Sequence, residues 1–438
     1  MLEGVGRVGA PPGASDNGRH VGPEGLEAVG AVGREAMRHR TRAVHAGDDW
    51  SGAVYPLTDP ISPSTVFAFR DPEIANLRRA MDPPEPNYSR EGLPNVRALE
   101  RAVAELERAG DACAVASGMA AISLTMLAHL DAGDRVIASA DCYCDAQSLL
   151  TQELTRFGVG TDFVDTGDLD AVRRAVGTST RLIYVDTISN PAMRLADLEP
   201  LATIAHDAGA LLCVDNTFAT PMLCRPLEYG ADLVIHSATK FLGGHHDLTA
   251  GVVAGRQTVI DPIRRCGYLF GPTLGPWDAW LALRGIRTLA PRIAWISETA
   301  VRVASFLQAH PEVSSVRYPG LPDHPQAELA RRLLPDGAGG MLAFDLEAGS
   351  DAADKVIRGL RLIPYAPSLG GPTTTVCYPP RDLTTDPCEE DGSYRCGTLR
   401  LSIGLEAPSD IIADLAMALD GLPAAVTAGG DEAVRPFA

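Results

Sequence analysis

Four short apolar runs, separated by segments of helix length, constrain the fold of this 438-residue chain more than any other feature. The runs read DRVIAS, RLIYVDT, ALLCVDNT and DLVIHS. Their apolar residues occupy both alternating positions, which is typical of strands buried on both faces. Strands that alternate with helices predict an α/β fold with a mostly parallel sheet covered by helices. Right-handed crossovers bring the C-terminal ends of such strands to one edge, where we expect a ligand to bind.

The segments before this region have a different composition. Residues 1–38 are rich in Gly, Pro and Ala and poor in large apolar side chains, so we predict a disordered N-terminal extension. Residues 39–95 contain Pro56, Pro60 and Pro63, which prevent a long helix. We expect this second segment to be an extended arm that lies against another part of the assembly.

Two domains are predicted beyond the arm. Residues 96–290 contain the four apolar runs and form a large domain. Residues 291–438 contain the helical pattern RIAWISETAVRVASFLQAH, followed by GGMLAFDLE and TLRLSIGLE. A helix followed by such alternating runs is typical of a smaller α+β domain.

The charge and cysteine pattern of the chain exclude several classes of protein. A formal net charge of -18 leaves no basic stripe for a nucleic acid or an anionic membrane. The N-terminus lacks an apolar signal segment, and no apolar run reaches the roughly 18 residues that a membrane span needs. Nine cysteines without a regular framework fit a reducing compartment. We therefore expect a cytoplasmic protein that is neither exported nor embedded.

Neighbouring histidines and cysteines are not predicted to form a metal site. His245 and His246 are adjacent in sequence, so their side chains point in different directions in most backbones, and no acid-rich cluster is near. Cys142 and Cys144 are predicted to be structural thiols rather than nucleophiles, because no positive neighbour lowers the pKa of either thiol.

One carboxylate and one lysine follow two of the predicted strands. ALLCVD ends at Asp215, and DLVIHS ends shortly before Lys240. The chain between them accommodates one helix and one strand, so both side chains can reach the same crevice. Taken alone, Asp215 could cap a turn and Lys240 could be an ordinary surface lysine.

Small polar residues near these strands predict a site for an anion. Ser117 and Gly118 start an apolar helix, where free backbone N–H groups and the helix dipole favour phosphate. Ser237 and Thr239 add hydroxyl groups beside Lys240, although each could also be a turn or cap residue. An amine that forms a Schiff base, an acid for the pyridine nitrogen and a phosphate anchor are what pyridoxal 5'-phosphate (PLP) requires.

The segment SATKFLGGHHD is similar to the cofactor-lysine signature of the Cys/Met-metabolism family of PLP enzymes. The resemblance runs from about Thr41 to Leu419. It implies the PLP transferase type I fold, PLP as cofactor, and γ-elimination or γ-replacement on a γ-substituted L-amino acid. It also implies a homotetramer built from two dimers.

The resemblance implies several contacts to the cofactor. NYSR implies that Tyr88 and Arg90 bind the phosphate in the neighbouring subunit's site. SGMAA implies that the backbone N–H groups of Gly118 and Met119 bind the phosphate in their own subunit. DTISNP implies that Asn190 contacts the phenolic oxygen of the cofactor ring.

The same resemblance implies catalytic and substrate-binding roles. Tyr143 in DCYCD matches a tyrosine that stacks on the cofactor ring, and it would protonate the departing γ-group if nearby cations lower its pKa. Lys240 is the implied base and proton carrier, with Asp215 paired to the pyridinium nitrogen. Ser368 and Arg400 are the implied substrate ligands, and the fork of Arg400 suits the substrate α-carboxylate.

Several positions depart from the family's pattern. SLGGPTTT has Pro372 and Thr373–Thr375 where many members have SLGGVES, so a glutamate is missing. Asp145 stands where methionine γ-lyases carry a cysteine, Ser62 stands where a tyrosine is frequent, and RDLTTDPCEEDGSYRCG lacks a His-Pro-Ala-x-Met run. We expect the three threonine hydroxyls to line the distal pocket. This predicts that a short γ-substituted amino acid, such as an O-acylhomoserine, is processed better than cystathionine.

Two other functions are compatible with the same residues. A β-elimination C–S lyase would keep the cofactor residues and change the pocket around Tyr143, Thr373 and Tyr378. A non-catalytic binding protein on the same fold is the more remote alternative. Product identity separates the first, and visible absorption by the bound cofactor separates the second.

Overall fold

The computed structural model describes residues 37–48, 56–80, 87–379 and 397–422. Almost all of the predicted N-terminal extension lies outside these residues, as does nearly all of the segment RDLTTDPCEEDGSYRCG. No helix of the described part is long and apolar enough to cross a bilayer.

A seven-stranded sheet lies at the centre of the region predicted as the large domain. Its strands are β1 Asp111–Val115, β2 Arg135–Ser139, β3 Gly160–Val164, β4 Thr180–Asp186, β5 Leu211–Asp215, β6 Leu233–Ser237 and β7 Gly251–Gly255. Their spatial order is β1-β7-β6-β5-β4-β2-β3. The five strands from β2 to β6 pair in parallel, whereas β7 is antiparallel to both β1 and β6. The prediction of a mostly parallel sheet is confirmed, and the four predicted runs are β2, β4, β5 and β6.

Both faces of this sheet are covered, which explains why its strands lack alternation. In β4, Ile183 and Val185 pack into one apolar core, while Leu182 and Tyr184 pack into a second. The first core includes residues of α3 (Pro94–Glu107) and α7 (Leu198–Asp207), and the second includes residues of α4 (Gly118–His129) and α9 (Gln257–Phe270). Burial on two faces is the physical reason for continuous apolar runs.

Ten further α-helices lie in the described part of the chain. They are α1 His39–His45, α2 Pro72–Ala80, α5 Cys144–Ser148, α6 Leu169–Ala175, α8 Thr220–Leu223, α10 Pro276–Ile286, α11 Leu289–Gln308, α12 Ala327–Leu333, α13 Gly349–Gly359 and α14 Pro408–Asp420. Pro94 and Pro408 stand at the first positions of α3 and α14, where the missing N–H costs no helical hydrogen bond.

A second, smaller sheet follows the long helix α11. It contains β8 Val313–Arg317, β9 Met341–Leu346, β10 Thr375–Cys377 and β11 Thr398–Ser402, in the antiparallel order β10-β11-β9-β8. Helix α13 packs against β9 and β11, and α14 packs against α13. The predicted α+β organisation of this region is confirmed, while the boundary at residue 290 remains a prediction.

The predicted arm contains the short helices α1 and α2, and residues 56–71 before α2 are irregular, so no long helix forms there. Its backbone carbonyls at Leu57 and Asp59 accept hydrogen bonds from Arg287 at 2.7 Å and Trp280 at 2.9 Å. Leu57 is 85% exposed and Val66 is 64% exposed, so the arm leaves apolar side chains uncovered.

Candidate active site

A cavity of about 390 Å³ lies at the C-terminal edge of the large sheet, beside the ends of β4, β5 and β6. Its lining includes the predicted residues Gly118, Met119, Tyr143, Asn190, Asp215, Ser237, Thr239, Lys240 and Arg400. These residues come from six separate parts of the chain. The parallel sheet brings most of them together because its strands end at one edge, and Arg400 reaches the cavity from the smaller sheet.

Lys240 lies in the turn after β6. Its Nζ donates to Ser368 Oγ at 3.2 Å. Burial lowers the pKa of Lys240, and the nearby positive charge of Arg400 lowers it further. A neutral amine is the form that acts as a nucleophile or a base.

Glycine permits the close approach of the loop that carries Ser368. Gly370 has φ +80°, and a Cβ at that position would lie 2.6 Å from the backbone nitrogen of Phe241 and 2.8 Å from the carbonyl carbon of Lys240. Any other residue would push the two segments apart, so the SLGG motif serves to hold Ser368 against Lys240.

Asp215 is the last residue of β5. Its Oδ1 accepts the backbone N–H of Thr217 at 2.9 Å. Burial raises the pKa of Asp215, and hydrogen bonds from the side chain and backbone of Thr217 oppose that shift. A cation placed against this carboxylate would favour its charged form.

Asp186 is a second buried carboxylate that the sequence interpretation missed. It ends β4 and is the register partner of Asp215 on β5. Its side chain lines the cavity, and its Oδ1 is buried without a hydrogen-bond partner. Burial, and then the charge of Asp215, raise the pKa of Asp186 well above its ordinary range, opposed by the backbone N–H of Tyr143. Its position at a strand end is the same signal that identified Asp215, so sequence inspection could have found it.

The start of α4 forms a narrow cradle against β6. Ser117 caps the helix, since its Oγ accepts the backbone N–H of Ala120 at 3.1 Å. The N–H groups of Gly118 and Met119 lie in the first turn, where the helix offers them no acceptor. A Cβ on Gly118 would lie only 2.7 Å from Cβ and 2.9 Å from Oγ of Ser237. The cradle is therefore polar and too tight for any side chain, which suits a small anion.

Thr239 and Ser237 are also tied into the backbone around this cradle. Thr239 Oγ1 donates to the carbonyl of Ala250 at 3.2 Å and accepts its N–H at 3.0 Å. The N–H of Ser237 donates to Thr217 Oγ1 at 2.9 Å. These bonds fix both hydroxyl-bearing residues beside Lys240.

Tyr143 precedes α5, and its hydroxyl donates to Asp145 Oδ2 at 2.5 Å. Burial, and then this carboxylate, raise the pKa of Tyr143; Arg400 opposes the shift but is weaker. The expectation that cations lower the pKa of Tyr143 is therefore wrong. The phenol stays protonated over the physiological range.

Arg400 is a buried cation in the middle of β11, only 3% exposed. Its Nη1 donates to Asn190 Oδ1 at 2.9 Å. In the described part of the chain, no carboxylate forms an ion pair with it. A buried guanidinium without an anion is costly, so this residue is set up to receive one.

Tyr88 and Arg90 lie outside this cavity. Arg90 belongs to the 3-10 turn Ser89–Glu91, and its guanidinium sits 4.3 Å from the ring centre of Tyr268 and donates to that residue's carbonyl at 3.1 Å. Arg90 and Tyr268 line a surface depression that does not include Lys240, and Tyr88 is exposed. A single chain does not bring Tyr88 and Arg90 to the predicted site, and their role toward a neighbour remains a prediction.

Two of the three threonines after the SLGG motif, Thr374 and Thr375, form hydrogen bonds within the protein. Thr374 is fully buried, and its hydroxyl and its N–H both donate to Glu406 at 2.7 Å. Thr375 donates from Oγ1 to the carbonyl of Ser368 at 3.3 Å. The expectation that these two hydroxyls line the distal pocket is therefore wrong, because both are used within the protein.

Histidines and thiols near the site behave as structural groups. His245 Nδ1 lies 2.8 Å from the carbonyl of Gly243. Among the residues the structure describes, no group of three or more His, Cys, Asp or Glu side chains is placed to hold a metal ion. Burial raises the pKa of Cys142 well above its ordinary range and that of Cys144 to about 11, so both thiols stay protonated.

Comparison with known proteins gives a consistent result. Residues 40–420 match the family model described as Cys/Met metabolism PLP-dependent enzyme. The chain is 39% identical to an L-methionine gamma-lyase of Fusobacterium nucleatum, over 87% of this chain and 97% of that protein. It is 40% identical to an O-succinylhomoserine sulfhydrylase of Pseudomonas aeruginosa, over 81% and 89% respectively.

A solved structure shares the fold. The metY structure from Campylobacter jejuni has a TM-score of 0.81 and 27% identity, and the match covers 88% of this chain and all of that one. That structure holds N'-pyridoxyl-lysine-5'-monophosphate. The residue type that carries the pyridoxyl group there is the type that Lys240 supplies in the cavity here.

Proposed function

Because this chain belongs to the Cys/Met metabolism family of PLP-dependent enzymes, we propose that its cavity performs γ-elimination or γ-replacement on a γ-substituted L-amino acid. PLP is the cofactor. When bound, it supplies an electron sink that stabilises negative charge developing at the substrate Cα.

The proposal depends on two basic side chains, Arg400 and Lys240, that lie in one cavity and have different tasks. Arg400 is buried and has no anionic partner among the residues that the structure describes, and its fork matches an α-carboxylate. Lys240 lines the same cavity and has a depressed pKa, so its amine is available as a base. An amino acid clamped by its carboxylate next to a base is the arrangement needed to remove its Cα proton.

The residues of the cavity fit PLP. The first turn of α4, with Gly118 and Met119, would hold the phosphate, with Ser237 and Thr239 beside it. Asp215 would pair with the pyridine nitrogen, whose positive charge would stabilise its carboxylate. Tyr143 would cover the ring face and Asn190 would contact its edge.

Lys240 then carries protons at the reacting carbons. Its Nζ takes the Cα proton and returns it at a later stage, while Ser368 orients the amine through the 3.2 Å hydrogen bond. Tyr143 stays protonated and donates its one proton to Asp145, so its oxygen is left to accept a hydrogen bond from a ligand.

Product identity tests this function. Holoenzyme is incubated with O-acetyl-L-homoserine, cystathionine, methionine and cysteine, with and without a thiol. We expect 2-oxobutyrate without a thiol or a thioether with one, and higher kcat/KM for the short substrate than for cystathionine. Pyruvate from every reactive substrate would replace the proposal with β-elimination, and no product from any of them would replace it with a binding function.

We further infer a homotetramer in the cytoplasm. The exposed apolar side chains of the arm, such as Leu57 and Val66, support self-association. Tyr88 and Arg90, which lie away from their own chain's cavity, would then reach the cavity of a neighbour.

A further inference from the structure

Asp145 introduces a negative charge at the mouth of the active site. It belongs to the first turn of α5, its side chain is exposed, and it lines the cavity together with Tyr143 and Lys240. None of the roles proposed above uses this carboxylate.

The carboxylate of Asp145 is held by neutral donors only. Oδ2 accepts the Tyr143 hydroxyl at 2.5 Å, and Oδ1 accepts the Cys144 thiol at 3.7 Å. Across residues 87–379 and 397–422, Asp145 forms no ion pair with Lys, Arg or His. The carboxylate of Asp145 is therefore oriented by hydrogen bonds, and no cation among the described residues neutralises its charge.

The hydrogen bond also decides what Tyr143 offers to a ligand. A phenol has one proton to donate, and here that proton points to Asp145. The oxygen of Tyr143 is left as an acceptor, so the pair presents acceptor oxygens and a net negative charge. Such a surface suits a donor or a cation and repels a carboxylate.

We propose that Asp145 selects the charge of the substrate side chain: the site accepts γ-substituents that are neutral or cationic and rejects anionic ones. This inference rests on the proposed function, in which Arg400 is occupied by the α-carboxylate, Lys240 by the cofactor and then by the Cα proton, and a neighbour's Arg90 by the cofactor phosphate. Asp145 then remains as the charge that the γ-substituent meets. An acetyl ester of homoserine would be accepted, and a succinyl ester, which adds a carboxylate, would be disfavoured.

A binding experiment tests the charge rule without requiring turnover. Three amino acids of similar length, L-norleucine, L-2-aminoadipate and L-lysine, carry a neutral, an anionic and a cationic end. Each is titrated into holoenzyme while the cofactor absorbance is followed, for the wild type and for Asp145→Asn.

We expect the wild type to bind 2-aminoadipate more weakly than norleucine. The substitution should shrink that ratio by about fivefold or more, since repulsion between unit charges about 4 Å apart reaches that factor even in a water-like medium. The affinity for lysine relative to norleucine should fall.

Three further variants separate the effect of charge from an effect on the structure. Asp170→Asn removes the same charge from an exposed site on α6, away from the cavity, and should leave both ratios unchanged. Asp145→Asn in a Tyr143→Phe background should still shift the ratios, because the effect is electrostatic. Far-UV circular dichroism and cofactor absorbance confirm that each variant folds and binds PLP, and Asp145→Ser provides a second neutral side chain.

Unchanged ratios in both Asp145 variants would overturn the proposal. A kinetic experiment compares kcat/KM for O-acetyl-L-homoserine and O-succinyl-L-homoserine. The wild type should have the higher kcat/KM for the acetyl ester, and Asp145→Asn should reduce the ratio of the two values. If neither ester reacts but the binding ratios shift, the proposed reaction fails and the charge rule stands.

Discussion

Asp186 and Asp215 lie side by side as register partners at the ends of the neighbouring parallel strands β4 and β5, and both line the cavity. Two carboxylates in one buried place do not ionise independently, because each charge disfavours the other. Asp215 has the hydrogen bonds from Thr217, whereas Asp186 has an unpartnered oxygen and lies near Asp141 as well. The pKa of Asp186 is therefore raised further than that of Asp215.

This division predicts different responses to the same substitution. Asp186→Asn keeps the shape of a side chain whose charged form is disfavoured by burial and by Asp215, so holoenzyme absorbance and cofactor retention on dialysis should be nearly unchanged. Asp215→Asn removes the anion that pairs with the pyridine nitrogen, and should weaken cofactor binding and reduce turnover by at least about 100-fold, a loss of roughly 2.7 kcal/mol. Equal losses in the two variants would contradict the assignment.

The pair also predicts how the stability of the cofactor-free protein depends on pH. The pKa of Asp186 is raised on folding, so the folded state binds more protons than the unfolded state. Its contribution to the free energy of unfolding is fully present below the ordinary pKa of an aspartate and is lost as pH rises through the raised value. Urea unfolding over this range should show the decline in wild type and a flatter profile in Asp186→Asn.

Lys240 is one of two lysines in the chain, which gives its assignment a matched control. Borohydride reduction of holoenzyme followed by peptide mapping should label Lys240 alone, leaving Lys355 on α13 unmodified. Lys240→Ala should abolish turnover while the phosphate cradle keeps some PLP bound, and Lys355→Ala should behave as wild type. Label on Lys355, or none, would refute the role of Lys240.

The depressed pKa of Lys240 predicts the pH dependence of any step in which its free amine acts as a base. The amine becomes available below the ordinary lysine pKa of about 10.4, so the rising limb of the rate against pH should lie below that value. Asp145→Asn and other changes outside contact with Lys240 should leave this limb in place.

Arg400 is predicted to hold the substrate carboxylate. Arg400→Ala should raise KM and lower kcat together, since a misoriented substrate presents its Cα proton poorly. We expect a loss of about 2–4 kcal/mol in transition-state stabilisation. Arg400→Lys should recover only part of it, because an ammonium lacks the bidentate fork. Arg302→Ala, at an exposed i,i+4 ion pair on α11, is the control, and equal kcat/KM in all variants would exclude the clamp.

Tyr88 and Arg90 are predicted to complete a neighbour's site, which complementation can test. Arg90→Ala and Lys240→Ala chains are each expected to be inactive or nearly so. Mixed after dissociation, they should recover about a quarter of wild-type activity per site, as one composite site per hybrid dimer becomes intact. Absence of recovery despite exchange of labelled subunits would show that each chain uses its own residues.

The sequence by itself determined four strands of the large sheet and placed Asp215 and Lys240 at the edge where those strands end. Runs that are apolar on both alternating positions identified β2, β4, β5 and β6, because burial on two faces leaves a local signature. Asp215 and Lys240 could be placed at one edge, since the ends of parallel strands meet there. The strands β1, β3 and β7 were not predicted, because runs as short as DACAV, GTDFV and GVVAG do not indicate a direction or a partner.

Only the tertiary structure decided which side chains are paired and how each is tuned. Thr374 does not line the pocket as predicted, because its hydroxyl and its N–H donate to Glu406, which is 32 residues away in sequence. The pKa of Tyr143 is raised because burial and Asp145 outweigh Arg400, and the pKa of Asp186 is raised because burial and the neighbouring charge of Asp215 disfavour its charged form. Strand patterns depend on the residues within a run, whereas pKa values and hydrogen-bond partners depend on distances between segments far apart in the chain. Those distances exist only once the chain has packed.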